Sequence, residues 1–184
     1  MSKKHYIMTA ITLGAIAACS AGLVAAANLV TRDRISQNEY NKTMLGISEI
    51  FEGAEIEKEY AIENFKYTNY VYELSKDTTG YERYIFKTTG SNSYGKISLL
   101  VGFKAAPHMY EDIQRFSFTN LYVIANEQSF ATTLVDNYID PLNSGDRDID
   151  DVSCSATYGA KLVRDMVNDA KDAALELFGK NFIG

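Results

Sequence analysis

With 184 residues, 46% of them hydrophobic and 23% charged, the chain has material for one globular domain and a short accessory segment. Setting aside Lys3 and Lys4, the only charged side chains before Arg32, leaves 16 Lys and Arg against 24 Asp and Glu, a net of −8. That balance excludes nucleic acid as a partner, since such binding draws its affinity from neutralised phosphates; two cysteines and two histidines at unrelated spacings give no basis for a zinc site or a disulfide.

Residues 6–30 are 25 positions without a charge. At about 1.5 Å per residue they are long enough to cross a hydrocarbon core of roughly 30 Å. Ala10, Gly14, Ala18, Gly22 and Ala26 recur at every fourth position, a row that lets another helix approach closely along one face and that an alanine-rich segment also produces without purpose. Lys3 and Lys4 on one side, against Arg32 and Arg34 on the other, slightly favour an inside N-terminus, with the remaining chain on the outer face of the cytoplasmic membrane. A cleaved signal ending at Ile16-Ala17-Ala18-Cys19, with Cys19 lipidated, is the alternative, and either way the domain is tethered outside. The expected division is a membrane anchor over 1–31 and a soluble domain over 32–184.

Tyr40, Met44, Ile47 and Phe51 then fall at helical spacing, so the membrane helix runs on or breaks briefly into an amphipathic one, with Gly46 a weak point and Gly53 a stop. Four strand-like runs follow at 70–74, 81–89, 96–103 and 116–125, rich in Tyr, Phe, Val and Ile. Short links between the first three favour antiparallel hairpins, and the link over 104–114 is longer. Residues 127–139 read as a short helix or turn-helix ending before Pro141, and 143–148 as an acidic loop. The last element is a helix over 158–178 that buries Ala160, Val163, Val167, Ala170, Ala174 and Leu177, with Lys161, Arg164, Asp165, Asp169, Lys171 and Asp172 as its solvated face. Together these imply an α+β fold, a mainly antiparallel sheet packed with helices and preceded by one N-terminal transmembrane helix. The abundant Tyr and Phe read as core and cross-strand packing.

Hydrolytic chemistry finds no support: the domain has one histidine, His108, in a link expected to be exposed, and neither a Walker loop nor a dinucleotide-binding glycine pattern. Chemistry is instead expected at Asp151-Val152-Ser153-Cys154-Ser155-Ala156-Thr157, opening into the final helix. First-turn N–H groups lack partners and the helix dipole favours an anion there, so the stretch can seat a phosphate. The plainer alternative is a helix cap by Ser153, Ser155 or Thr157 with Asp151 complementing the dipole, and Cys154 reads equally as a small buried thiol.

Asp151 to Tyr158, D-x-x-C-S-A-T-Y, resembles the D-x-x-[ST]-G-A-T motif of domains that carry FMN on the final threonine through a phosphoester. The order of the whole chain is similar to that of the G subunit of Rnf-type ferredoxin:NAD oxidoreductases and the related C subunit of the sodium-pumping NADH:quinone reductase. The matching features are the membrane helix ending in Asn28-Leu29-Val30-Thr31-Arg32-Asp33-Arg34-Ile35, then Phe51-Glu52-Gly53-Ala54, then Ser93-Tyr94-Gly95-Lys96-Ile97 leading to Val101-Gly102-Phe103. The resemblance implies a membrane-anchored electron-transfer subunit of an ion-translocating complex, with FMN on Thr157. Ser155, Ala156 and the amides of Tyr158 and Gly159 would cradle the phosphate, Glu127 would lie near the flavin, and Asp151 would mark the site for a flavin transferase. Implied partners are the integral membrane subunits, the transferase and the membrane itself. Cys154 and Ser155 depart from the motif, as do Gly159 and Ala160 after it, and of a Glu-Thr-Pro-Gly stretch only Glu127 remains. A flavin-less tethered assembly subunit and a lipoprotein flavin carrier for extracellular electron transfer therefore stay open beside it.

Overall fold

In the computed structural model, which describes residues 3–105, 116–128, 134–144 and 157–179, the apolar run and the helical spacing after it form one continuous helix, α1 (Lys3–Ile50). The chain divides into two compact units, Met1–Asn41 and Lys42–Gly184. In the first, the side chains described are exposed almost throughout, and the helix is long and apolar enough to cross a membrane. Thr12 and Thr31 donate their hydroxyls to the carbonyls of Met8 and Ala27, at 2.9 and 2.7 Å, so neither demands water.

The second unit is built on a five-stranded antiparallel meander, in the order β1-β2-β3-β4-β5. Its strands are β1 (Ile56–Ala61), β2 (Thr68–Leu74), β3 (Glu82–Asn92), β4 (Gly95–Ala105) and β5 (Phe116–Asn126). The last four correspond to the expected runs; β1 is an addition, an edge strand that exposes Glu57, Lys58 and Glu59 at its centre while Ile56 and Tyr60 are half-buried. Alternation along the strands gives the sheet two apolar faces. Val71, Phe86, Leu99, Val101 and Phe103 lie in the larger core. Tyr72, Ile85, Leu100 and Ile124 meet Ile47, Ile50 and Phe51 from the end of α1 in a second. Gly46 is what lets α1 settle there: a Cβ at this position would run into the side chains of Tyr122 and Leu100. The glycine that weakened the helix in the sequence is thus required by its packing.

The larger core is closed by α3 (Thr157–Ala174), which continues into a single π turn, Leu175–Gly179. Ala160, Val163, Val167, Ala170 and Ala174 are buried as expected and Leu177 is half-buried, with Leu162, Met166 and Ala173 widening the stripe. Asp169, expected on the solvated face, is half-buried. The Asp169 carboxylate accepts from the backbone N–H groups of Lys66, Tyr67 and Thr68 and from the Thr68 hydroxyl, fastening α3 to the start of β2. Phe178 stacks on Tyr84 with ring centroids 4.2 Å apart. Burial first, and then a hydrogen bond to Glu82, raise the Tyr84 phenol beyond its ordinary range and keep it protonated.

Between β5 and α3, a π turn (Val135–Ile139) leads into the short α2 (Asp140–Ser144). The expected stop before Pro141 does not occur, because a proline in the first turn of a helix lacks only an N–H that would have no intrahelical partner there. Asn143 and Ser144, expected in the acidic loop, accordingly belong to α2. Asn143 donates its side-chain N–H to the Leu121 carbonyl at 3.0 Å and accepts from the Leu121 N–H at 2.9 Å.

The turn between β2 and β3 is organised by Asp77, whose Oδ1 accepts from the Thr79 hydroxyl and from the N–H groups of Thr79 and Tyr81, with Lys104 Nζ 3.7 Å from its Oδ2. These contacts, the Thr79 hydroxyl foremost, hold its carboxyl down at about 2, against an ordinary 3.8. A carboxyl depressed on folding contributes stability above its unfolded value and loses it as pH falls through the folded one. The Asp77 side-chain carbon resonance is therefore expected to titrate near pH 2 rather than 3.8, with the Thr79 and Tyr81 amide signals shifting in step. An ordinary midpoint would show that the turn does not depend on this carboxylate.

Candidate functional site

The N-terminus of α3 is approached by two other segments, and one buried amide joins them. The β3–β4 hairpin turns through Ser93 and Tyr94, with Asn92 paired to Gly95. This is tighter than the link expected over 89–95, since both strands continue into it. Asn92 Oδ1 accepts from the Tyr94 N–H at 2.9 Å, an Asx-type turn, and Gly95 adopts a φ of 137°, which favours glycine. A Cβ on Gly95 would also stand 2.9 Å from the Glu127 carbonyl oxygen. The end of β5 therefore lies close beside the turn, held there by the Glu127 N–H donating to the Lys96 carbonyl at 2.9 Å.

Gln128 completes the joint. Its side chain is buried, and Nε2 donates to Asn92 Oδ1 at 3.1 Å and to the Gly95 carbonyl at 3.4 Å. Its Oε1 occupies space that a side chain on Gly159 would need, 2.6 Å from an added Cβ. Asn92 Nδ2 in turn donates to the Tyr158 carbonyl at 3.3 Å. Hairpin, β5 end and the first turn of α3 are thus locked together by two amide side chains and two glycines. Tyr94 and Tyr158 project from this joint and stack on each other, their centroids 5.3 Å apart and their planes at 26°.

Of the residues singled out in the sequence, Thr157, Tyr158, Gly159 and Glu127 are brought to this one place. Thr157 is the first residue of α3 and is exposed, and the first turn carries no acidic side chain, so nothing there opposes an anion at the positive end of the dipole. Glu127 is exposed, its carboxylate 3.4 Å from the Lys96 N–H. Asp151, Cys154, Ser155, Ala156 and His108 lie outside the described residues. Asn92, Tyr94 and Gln128 were not foreseen. The Asn-x-x-Gly signature was visible but read only as a link, and Gln128 sits 36 residues from the Asn92 it bonds.

Among the described residues no group of His, Cys, Asp and Glu is arranged to hold a metal. A hollow of about 430 Å³ opens beside the same hairpin, lined by Lys66, Tyr67, Thr89, Gly90, Ser91 and Lys96. A second, of about 290 Å³, lies between α2 and β5 and is lined in part by Asn120, Asp140 and Asn143. Neither includes Thr157.

Residues 1–50 match the family model described as the RnfG N-terminal region. No curated protein and no solved structure matches the chain. The resemblance drawn from the sequence is thereby borne out over that segment, the one that contains the membrane-compatible helix.

Proposed function

We propose that the chain is a membrane-anchored electron-transfer subunit of an Rnf-type, ion-translocating complex, and that it carries FMN as a phosphoester on Thr157. The observation that carries this reading is the coincidence of an RnfG-type N-terminal region with an exposed threonine at the first position of α3. The residues described fit such a group. The amides of the first turn supply donors for a phosphate, no carboxylate in that turn repels it, and an exposed aromatic pair stands beside it.

When bound, FMN supplies the redox chemistry, so the protein needs no acid or base of its own. Thr157 Oγ1 would be the phosphoester oxygen. The N–H groups of Tyr158 and Gly159 would hold the phosphate, and Gly159 keeps its turn close to Gln128. The Asn92 and Gln128 amides hold the hairpin against that turn, fixing the attachment point relative to the sheet. Asp151, Ser155 and Ala156 are assigned to transferase recognition and the phosphate cradle, and Glu127 to the flavin's surroundings. The soluble domain stands on the outer face of the membrane, and Ala10 to Ala26 face the integral membrane subunits.

Co-expression of the full chain with a flavin transferase is expected to add the mass of one FMN and to give in-gel flavin fluorescence after denaturation. Thr157→Val should lose both. Fluorescence that persists in Thr157→Val would move the attachment elsewhere, and a parent chain without added mass would support the flavin-less tethered subunit, to which the departures at Cys154 and Ser155 point.

A further inference from the structure

We infer that Tyr94 and Tyr158 form an aromatic platform on which the isoalloxazine ring of a flavin lies, an inference that deepens the reading of Thr157 as the attachment point. The two rings are 43% and 65% exposed, yet they are stacked on each other and not splayed into solvent. Surface tyrosines seldom warrant explanation singly; these two are held in register by buried structure. Asn92 bonds the backbone of both, through Oδ1 to the Tyr94 N–H and Nδ2 to the Tyr158 carbonyl, and buried Gln128 fixes Asn92. The result is a preorganised, uncharged π surface with an accessible outer face, suited to a planar heteroaromatic ring.

Position selects the ligand. Tyr158 follows Thr157 directly in the chain, so a ring joined to Thr157 through a ribityl phosphate reaches this surface without rearrangement of the fold. Stacking on an aromatic side chain demands no hydrogen-bond partner from the ring and is a recurrent way of holding flat heterocycles. Tyr94, from a different element 64 residues earlier in the chain, is then a positioning residue for the flavin that neither the motif nor its neighbours reveal.

Two measurements on the full-length chain in detergent test this. In the flavinylated protein, intact mass reports attachment while flavin fluorescence reports stacking, because a phenol in contact with an excited flavin quenches it by donating an electron. The parent is expected to fluoresce weakly until denatured; Tyr94→Leu should keep the FMN mass but fluoresce several-fold more strongly, and Tyr94→Phe, which keeps the ring but lacks the electron-donating phenol, should stay bright while retaining the ring contact that binding reads. In the Thr157→Val background, lumiflavin, which has neither ribityl chain nor phosphate, should bind about tenfold more weakly when Tyr94 is also changed to Leu, as expected for loss of one stacking partner. Equal fluorescence in parent and Tyr94→Leu with FMN present, or lumiflavin binding indifferent to Tyr94, would overturn the platform. A parent lacking FMN mass would count against attachment alone, with the lumiflavin titration still deciding the platform.

Discussion

Phe86→Ala is expected to destabilise the Lys42–Gly184 unit by about 4 kcal/mol, the range found when a buried aromatic is truncated and its neighbours cannot close the gap. Phe86 is fully buried in the centre of β3, edge-on to Phe103 at 5.7 Å and to Phe178 at 6.4 Å. Phe103 is fixed in the adjacent strand, and Phe178 is already stacked on Tyr84, so neither ring is placed to move into the void. Urea unfolding of the detergent-solubilised chain should show a lower midpoint with an unchanged slope. A loss below about 1 kcal/mol would mean that this core collapses around the deletion, contrary to the packing described. The Phe178 contact adds a local signature, a loosening of the π turn at Leu175–Gly179 that amide exchange would detect.

Asp169→Ala should cost about 3 kcal/mol by the same measurement, since one half-buried carboxylate serves four donors and hydrogen bonds to a charged acceptor are the stronger kind. The distances run from 2.7 Å to the Thr68 hydroxyl and 2.8 Å to the Thr68 N–H, out to 3.0 and 3.1 Å for Tyr67 and Lys66. Asp169→Asn, which keeps one acceptor oxygen, should cost less. Faster amide exchange at Tyr67 and Thr68 in both variants would locate the effect at the α3–β2 joint. Unchanged exchange at those amides, with global stability intact, would assign their protection to other groups. Because Asp169 fastens α3 twelve residues beyond Thr157, this contact steadies the helix that begins at Thr157.

The sequence disclosed the elements whose side chains repeat with a clear period and hid those whose reasons lie across the fold. The β2 to β5 strands were legible because Val, Ile, Phe and Tyr crowd their buried positions, and α3 because its small and branched residues recur at helical intervals. In β1 only Ile56 and Tyr60 turn inward, too sparse a pattern to stand out among its charges. Gly46 looked like a helix fault, since nothing local announces that Tyr122 lies over it. Pro141 looked like a terminator because its place in the first turn of α2 follows from where the preceding π turn ends. The site divides in the same way. Thr157, Tyr158 and Gly159 came from one contiguous stretch, whereas Asn92, Tyr94 and Gln128 join them only through long-range pairing of β3, β4 and β5.

Asn143 carries a consequence for how copies of this chain coexist. β5 is an outer strand of the meander, with β4 on one side and hydrogen-bonding groups turned outward on the other. At Leu121 both of those groups are taken by the Asn143 amide, which imitates a partner strand for a single residue. A strand arriving from a neighbouring molecule would meet an interrupted ladder at that point. Such a stopper opposes edge-to-edge association while leaving the sheet itself untouched.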